Sequence, residues 1–458
     1  MLQRSVMARM FVMGVLMLVL MVPLAMTSGV ISERTTRRDE VAREISRTWG
    51  DRQAVTGPVL TIPYRYVVHQ DEAANVAFPA GTRPAPRTVV HTGALVLLPE
   101  QLEVTGTMAP EERARGPFST VVYTARLAMK GRFGAPDTAV VRRPDTTFLW
   151  DQATVSLGIA DPKGIASGFR LIWAGREVEV IPGTPDTGLF AAGVQARELR
   201  VAPEASTAFE IALELRGTRS LGVVPVGNHT TVALSSPWPH PGFSGGQLPS
   251  THRVSAQGFE ARWQSAWFAR GFPAAWVRGE GDPDKLKAQA SASALGVDLV
   301  QPVDVYQQAE RAVKYAALFI VLTLAVAFVR EIASHTLVHP VQYLFVGFGL
   351  CLFYLLLVSL AEHIRFDLAY LVASSATALL IAWYWSGVLK SIGQGVSMAV
   401  ALTALYGYLY LLLRLEDLAL VAGATGLFVM LAIVMAMTRN VNWFALRIGA
   451  PVVTRPEM

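Results

Sequence analysis

Between residues 316 and 360 the chain carries two runs, 316–329 and 341–360, that are almost free of charge. A helix needs about 20 apolar residues to cross roughly 30 Å of hydrocarbon, so both read as transmembrane helices. The same reading applies to 368–386, 396–413 and 418–437, and to an apolar run from Met10 to about Val30 that follows Arg4 and Arg9. The first run has the layout of a signal sequence but is long for one, and Ala25, Met26 and Thr27 make a poor cleavage site. An uncleaved signal anchor is expected, with Pro23 accepted as membrane helices accept it. The loops 361–367 and 414–417 hold only turns, so the later helices form a tight up-and-down bundle. Glycine and alanine at Gly347, Gly349, Ala373, Ala376, Gly407, Gly423 and Gly426 allow close approach.

The 52% hydrophobic content belongs to these spans, and the rest of the chain is different in character. Residues 31–49 are densely charged, with Val41, Ile45 and Trp49 on one helical face, as in an amphipathic stalk leaving the bilayer. From 50 to about 300, short β-branched or aromatic runs alternate with glycine and proline. They lie at 59–66, 88–98, 120–129, 148–156, 170–173, 177–181, 208–215, 230–234 and 259–263, and they predict an antiparallel sandwich or two stacked ones. Residues 279–298 read as an exposed connector, followed by a strand-like 297–305. The fold class is therefore a multi-pass α-helical membrane protein with a large, mainly-β, sandwich-like soluble domain inserted between transmembrane helices 1 and 2. The expected divisions are a signal anchor to residue 30, a stalk over 31–49, a β domain over 50–311, a five-helix bundle over 312–440 and a tail over 441–458.

The net charge of +5 comes without a basic block interleaved with aromatics, so the excess is assigned to anionic lipid headgroups and no nucleic acid is expected. The single cysteine, Cys351, excludes an intramolecular disulfide and a cysteine zinc site, and is expected against lipid or a neighbouring helix. Charge bias leaves the side of the β domain open. Arg34, Arg37, Arg38, Arg43 and Arg47 after the first span favour the cytoplasm, whereas Arg330, Lys390, Arg439, Arg447 and Arg455 favour the outside.

No nucleophile elbow or phosphate loop occurs in the sequence. Glu331, His335 and His339 stand four apart and would share one face if their helix continued, where a metal or proton could be held. The alternative is a helix end at the membrane surface with Pro340 opening the next helix; it is favoured because two histidines and one glutamate are a weak metal signature. No cofactor or metal is assigned. Trp238 and His240, in a proline-stiffened aromatic loop, form either a binding surface or a rigid turn packed on the sandwich, and the turn is favoured. Arg113 and Arg115 could hold an anion or line a solvated turn. Glu310 and Lys314 form an expected i,i+4 pair. Glu362 and His363 either form an acid/base pair meeting lipid headgroups at the outer face, together with Arg311 and Lys314, or cap and anchor a helix. The spans carry no Asp, Glu, Lys or Arg at their centres, which disfavours ion-coupled transport.

Six ordered motifs resemble the CreD family of bacterial inner-membrane proteins over about 40–440. They are Trp49, Gly50 and Gln53 with Gly57, Pro58, Leu60, Ile62, Pro63 and Tyr64; Arg113, Arg115 and Gly116 with Tyr123; Ser236 to Gly245; Pro302, Asp304, Tyr306, Glu310, Arg311, Lys314 and Tyr315; His339, Pro340, Gln342 and Tyr343; and Ser359, Glu362, His363 and Phe366. The resemblance implies a cell-envelope integrity protein of Gram-negative bacteria, often made under a stress two-component system. It also implies a periplasmic β domain, cytoplasmic termini and no established reaction or ligand. The leading expectation is a non-enzymatic protein acting through envelope proteins, cell-wall components or lipid. The alternative is a membrane-surface enzyme or lipid-handling factor using Glu362 and His363. Oligomeric state stays open.

Overall fold

The computed structural model describes residues 6–70, 87–166, 168–301, 305–334, 338–415 and 419–439. The chain divides into two compact units, one of residues 40–302 and one of residues 1–39 with 303–458. Helix α1 (Val6–Trp49) is continuous, so the apolar run and the charged stalk are one helix with Pro23 inside it.

In the unit 40–302, a ten-stranded and an eight-stranded sheet contribute to one apolar core. The strand Gln53–Gln70 organises the larger sheet. It pairs antiparallel with Arg87–Leu97 and with Ala153–Ile159, and parallel with Ser220–Val224. Its register shifts between Thr56 and Val59, where Gly57 and Pro58 stand; proline, which cannot donate to a ladder, is accommodated at such a bulge. In the smaller sheet, the long hairpin Gln101–Arg115 and Phe118–Phe133 turns at Gly116, whose φ of +63° suits glycine.

Several expectations need correction. The sheets are mixed, because Gln53–Thr56 runs parallel to Leu221–Val224 and Gln101–Thr107 parallel to His229–Ser235. Side-chain alternation is the same in either direction, so the sequence pattern carries no direction. The run 177–181 is split, with Arg176–Val178 in the smaller sheet and Ile181–Pro182 in the larger. The supposed connector contains helix α2 (Pro283–Ala292). The Asp282 carboxylate accepts from the Asp284 and Lys285 amides, and Pro283 takes the first turn. The following strand, Leu295–Leu299, lies inside the larger sheet between Pro241–Gly245 and Ser220–Val224.

The other unit is helical. Helices α3 (Val305–Lys314) and α4 (Ala316–Ser334) meet at a bend of 47°, and the expected run 316–329 lies in α4, the second arm of this bent pair. Helices α5 (Pro340–Ala361), α6 (Phe366–Val388) and α7 (Ile392–Arg414) are joined by short turns, and α8 (Ala419–Thr438) coincides with the last expected span. Among the described residues four helices are long and apolar enough to cross a membrane, or five with the bent pair counted once. Leu20 and Leu24 of α1 belong to the core of this unit. Leu20 lies over Gly347 of α5, where even a Cβ would meet its side chain, and Cys351 is buried with its thiol against the Leu20 carbonyl. The cysteine thus packs between helices. Phe353 gathers Tyr354, Tyr370 and Tyr406 around it, and the Tyr370 hydroxyl donates to the Tyr406 carbonyl at 2.7 Å.

Candidate functional site

Residues of the first two motifs meet where α1 ends. The Trp49 ring lies between two guanidiniums, with Arg113 3.8 Å and Arg216 4.8 Å from its centroid. Its indole N–H donates to the Tyr123 carbonyl, and the Tyr123 hydroxyl donates to the Ser220 carbonyl at 2.6 Å. Burial pushes the Tyr123 phenol well above its usual range. Four residues on, the buried Gln53 side chain donates to the carbonyls of Asp161 and Arg216 and accepts from the Asp161 amide. Arg115 pairs with Glu44 of the stalk. These groups satisfy one another and backbone that would otherwise be stranded.

The third motif is also a packed turn. The Trp238 indole donates to the Val300 carbonyl at 2.9 Å, and the Val300 amide donates to the His240 carbonyl at 3.1 Å. The His240 side chain is exposed. Phe243 meets the rings of His252, Phe259 and Trp263. The rigid-turn expectation matches this geometry.

Glu362 lies at one end of the helical unit. Its carboxylate, only 10% exposed, accepts from the Tyr306 hydroxyl of α3 at 3.1 Å and stands 3.5 Å from Arg34 of α1. Three helices are therefore joined through one carboxylate. His363 is exposed, and its Nδ1 lies 3.1 Å from the Ser359 carbonyl of its own helix. Lys314 pairs with Glu310 at 3.1 Å, as the spacing predicts, while Arg311 of the same helix is half-buried. At the same end Asp367 accepts from the Tyr410 hydroxyl at 2.8 Å and from Arg414 at 3.0 Å. That group went unseen in the sequence because its members come from the start of one span and the end of the next; their only signal was charge at both span ends.

At the opposite helix ends, Glu331 and His339 do not share a helical face. Helix α4 stops at Ser334 and α5 begins at Pro340, while His335 lies outside the described residues. His339 caps α5: its Nδ1 accepts from the Val341 amide, and its own amide donates to the Gln342 side chain. Glu331, 1% exposed, accepts from the Tyr343 hydroxyl and from the Val338 amide. Its neighbour Arg330 bonds Gln394 and Ser397 of α7. No cluster of three or more histidine, cysteine or acidic residues placed to hold a metal occurs among the described residues.

The family model described as inner membrane protein CreD matches residues 5–444 of the chain. Inner membrane protein CreD of Escherichia coli (strain K12) is 33% identical over 435 residues, which cover 93% of this chain and 91% of that protein.

Proposed function

Because the chain belongs to the CreD family of inner membrane proteins, we propose that it supports cell-envelope integrity under stress by binding envelope components through its β domain, without catalysis. In this reading the two sheets form a sandwich inserted between the first and second membrane helices, the sandwich is periplasmic and both termini are cytoplasmic. The order of helices supports it: α1, the α3–α4 pair, α5, α6, α7 and α8 would make an even number of crossings. Arg330, Lys390 and Arg439 fall at the helix ends assigned to the cytoplasm.

The observation that carries the non-catalytic reading is the state of the motif side chains. Trp49, Gln53, Tyr123, Trp238, His339, Tyr343 and Glu362 are each bonded to backbone or to another side chain. Such an arrangement holds helices and strands in place. Glu362 and His363 are each engaged separately, which supports helix joining over an acid/base pair.

Contact with a partner needs an exposed surface, and Trp267 and Phe268 supply one, being 60% and 74% exposed and edge-on at 6.0 Å. Their turn is held by Arg270, whose buried guanidinium donates to the carbonyls of Phe272 and Val226 and to Asn228. Rigid exposed aromatics bind at low entropic cost. The test is complementation of a deletion strain's envelope-stress phenotype by a Trp267→Ser/Phe268→Ser variant, with abundance checked by blot. Loss of complementation at normal abundance is expected; full complementation would remove this surface from the account.

A further inference from the structure

Beyond that reading, a groove of about 520 Å³ lies on the smaller sheet, at the end formed by the strands Thr251–Ser255 and Gly258–Ala266. Small-molecule sites fall in this size range. The short side chains of Thr105, Ala233 and Ser235 make its floor, and Arg253, Glu260 and Arg262 stand around it. Strand register puts all six on one face. Arg262 is opposite Ala233, which is opposite Thr105, and Glu260 is opposite both Arg253 and Ser235. The alternate residues Val104, Leu234 and Trp263 turn the other way, into the core.

The charges of this groove are open. On the same face Arg126 is opposite Glu214 and Lys130 opposite Glu210, and each couple closes to an ion pair, at 3.4 and 3.9 Å. Arg253 and Glu260 are opposed in the same way, yet among the described residues neither they nor Arg262 pairs with a charged group. Arg253 and Arg262 are diagonal neighbours across the two strands, which sets their Cα atoms roughly 8 Å apart. Glu260 is next to both, on the strand of Arg262 and opposite Arg253.

Two cations and one anion held apart complement a ligand with two carboxylates and one ammonium. A guanidinium forks onto a carboxylate through two N–H donors, and the hydroxyls of Thr105 and Ser235 suit peptide groups. A sugar or an acyl chain is matched less well. His252 is the single ring in the lining and already leans on Phe243, and Leu234 is 2% exposed. A chain of phosphates would set its charge against Glu260.

We propose that this groove binds a short acidic peptide carrying a free amine, with its carboxylates on Arg253 and Arg262 and its ammonium on Glu260. The site is separate from Trp267 and Phe268, and it stands whether or not those rings bind a partner.

The test is calorimetric titration of the full chain in detergent micelles with N-acetyl-glutamyl-lysine, which has two carboxylates and one ammonium. N-acetyl-glutamyl-norleucine, which lacks the ammonium, is the control. Wild type should bind the lysine dipeptide with a Kd below about 1 mM and the norleucine dipeptide about fivefold more weakly. Arg253→Gln and Arg262→Gln should each weaken binding of both dipeptides by about fivefold. Glu260→Gln should weaken the lysine dipeptide alone, so that the two bind equally. Ser235→Trp should fill the groove and abolish binding; Thr105→Trp, on the same floor, serves if Ser235→Trp does not fold. Absence of saturable binding by wild type up to about 10 mM would overturn the proposal. So would equal binding of the two dipeptides by wild type, wild-type affinity in the arginine or groove-filling variants, or tighter binding of N-acetylglucosamine tetramer than of the lysine dipeptide.

Discussion

The indole N–H of Trp49 donates to the main-chain carbonyl of Tyr123 at 3.2 Å. This bond ties the last residue of a 44-residue helix to the middle of a strand 74 positions away. With Arg113 and Arg216 stacked on its ring, Trp49 holds the last turn of α1 against the strands beside it. Trp49→Ala removes ring and hydrogen bond together and should cost about 3 kcal/mol. Trp49→Phe keeps the ring and should cost about 1 kcal/mol. Denaturant unfolding of the two variants measures the difference, and equal losses would mean that the ring contributes little.

Gln53 makes a comparable joint from a single side chain. It is 2% exposed and serves two carbonyls and one amide. Gln53→Ala leaves those groups without partners, at a cost of about 3 kcal/mol if water fails to enter. Hydrogen exchange of the Asp161 amide should quicken in this variant; an unchanged rate would show that the side chain is not needed there.

Gly245 has a φ of +108°, and a Cβ there would clash with the Ala294 carbonyl oxygen. Backbone cannot yield as a flexible side chain does. Gly245→Ala should therefore displace the strand Pro241–Gly245 from Leu295–Leu299 and lower the midpoint of unfolding by more than Gly279→Ala, where nothing lies within 4 Å. Equal midpoints for the two variants would refute the clash.

Tyr123 sets a limit at high pH. Burial raises its phenol above the usual 10.0, so the folded chain holds the proton after the unfolded chain has begun to lose it. The stability this contributes is fully present below the unfolded pKa and is lost as pH rises above about 10. Urea midpoints should be level near about pH 8 and fall toward about pH 11. Tyr123→Phe should flatten this decline while losing the bond to Ser220, about 1 kcal/mol at neutral pH.

The helices were readable because uncharged runs of the right length have few other fates, and α5, α6 and α7 lie within a few residues of the expected spans. Strands with β-branched alternation were equally plain. The strand Gln101–Arg115 was missed although Leu102, Val104, Gly106 and Met108 turn inward at strict period two, because Gln101, Glu103, Thr105 and Thr107 fill the outward face. Helix α2 was hidden by an Ala/Ser-rich stretch, yet Asp282 and Pro283 are an N-cap and a first-turn proline. Of the candidate site, the motif residues themselves were legible through family resemblance. Their partners Arg34, Asp161 and Arg216 were not, since no local pattern links residues that only tertiary packing brings together.

Glu362 bonds Tyr306 and stands beside Arg34, and in the proposed function it joins helices without proton transfer to His363. The most direct test is complementation of the deletion strain's envelope-stress phenotype by Glu362→Gln and His363→Ala, each with abundance checked by blot. Glutamine still offers Tyr306 an acceptor, and the His363 ring lies at the Ser359 carbonyl of its own helix, so both variants should complement at normal abundance. Loss of function in both at normal abundance would contradict the account and place chemistry at that carboxylate and imidazole.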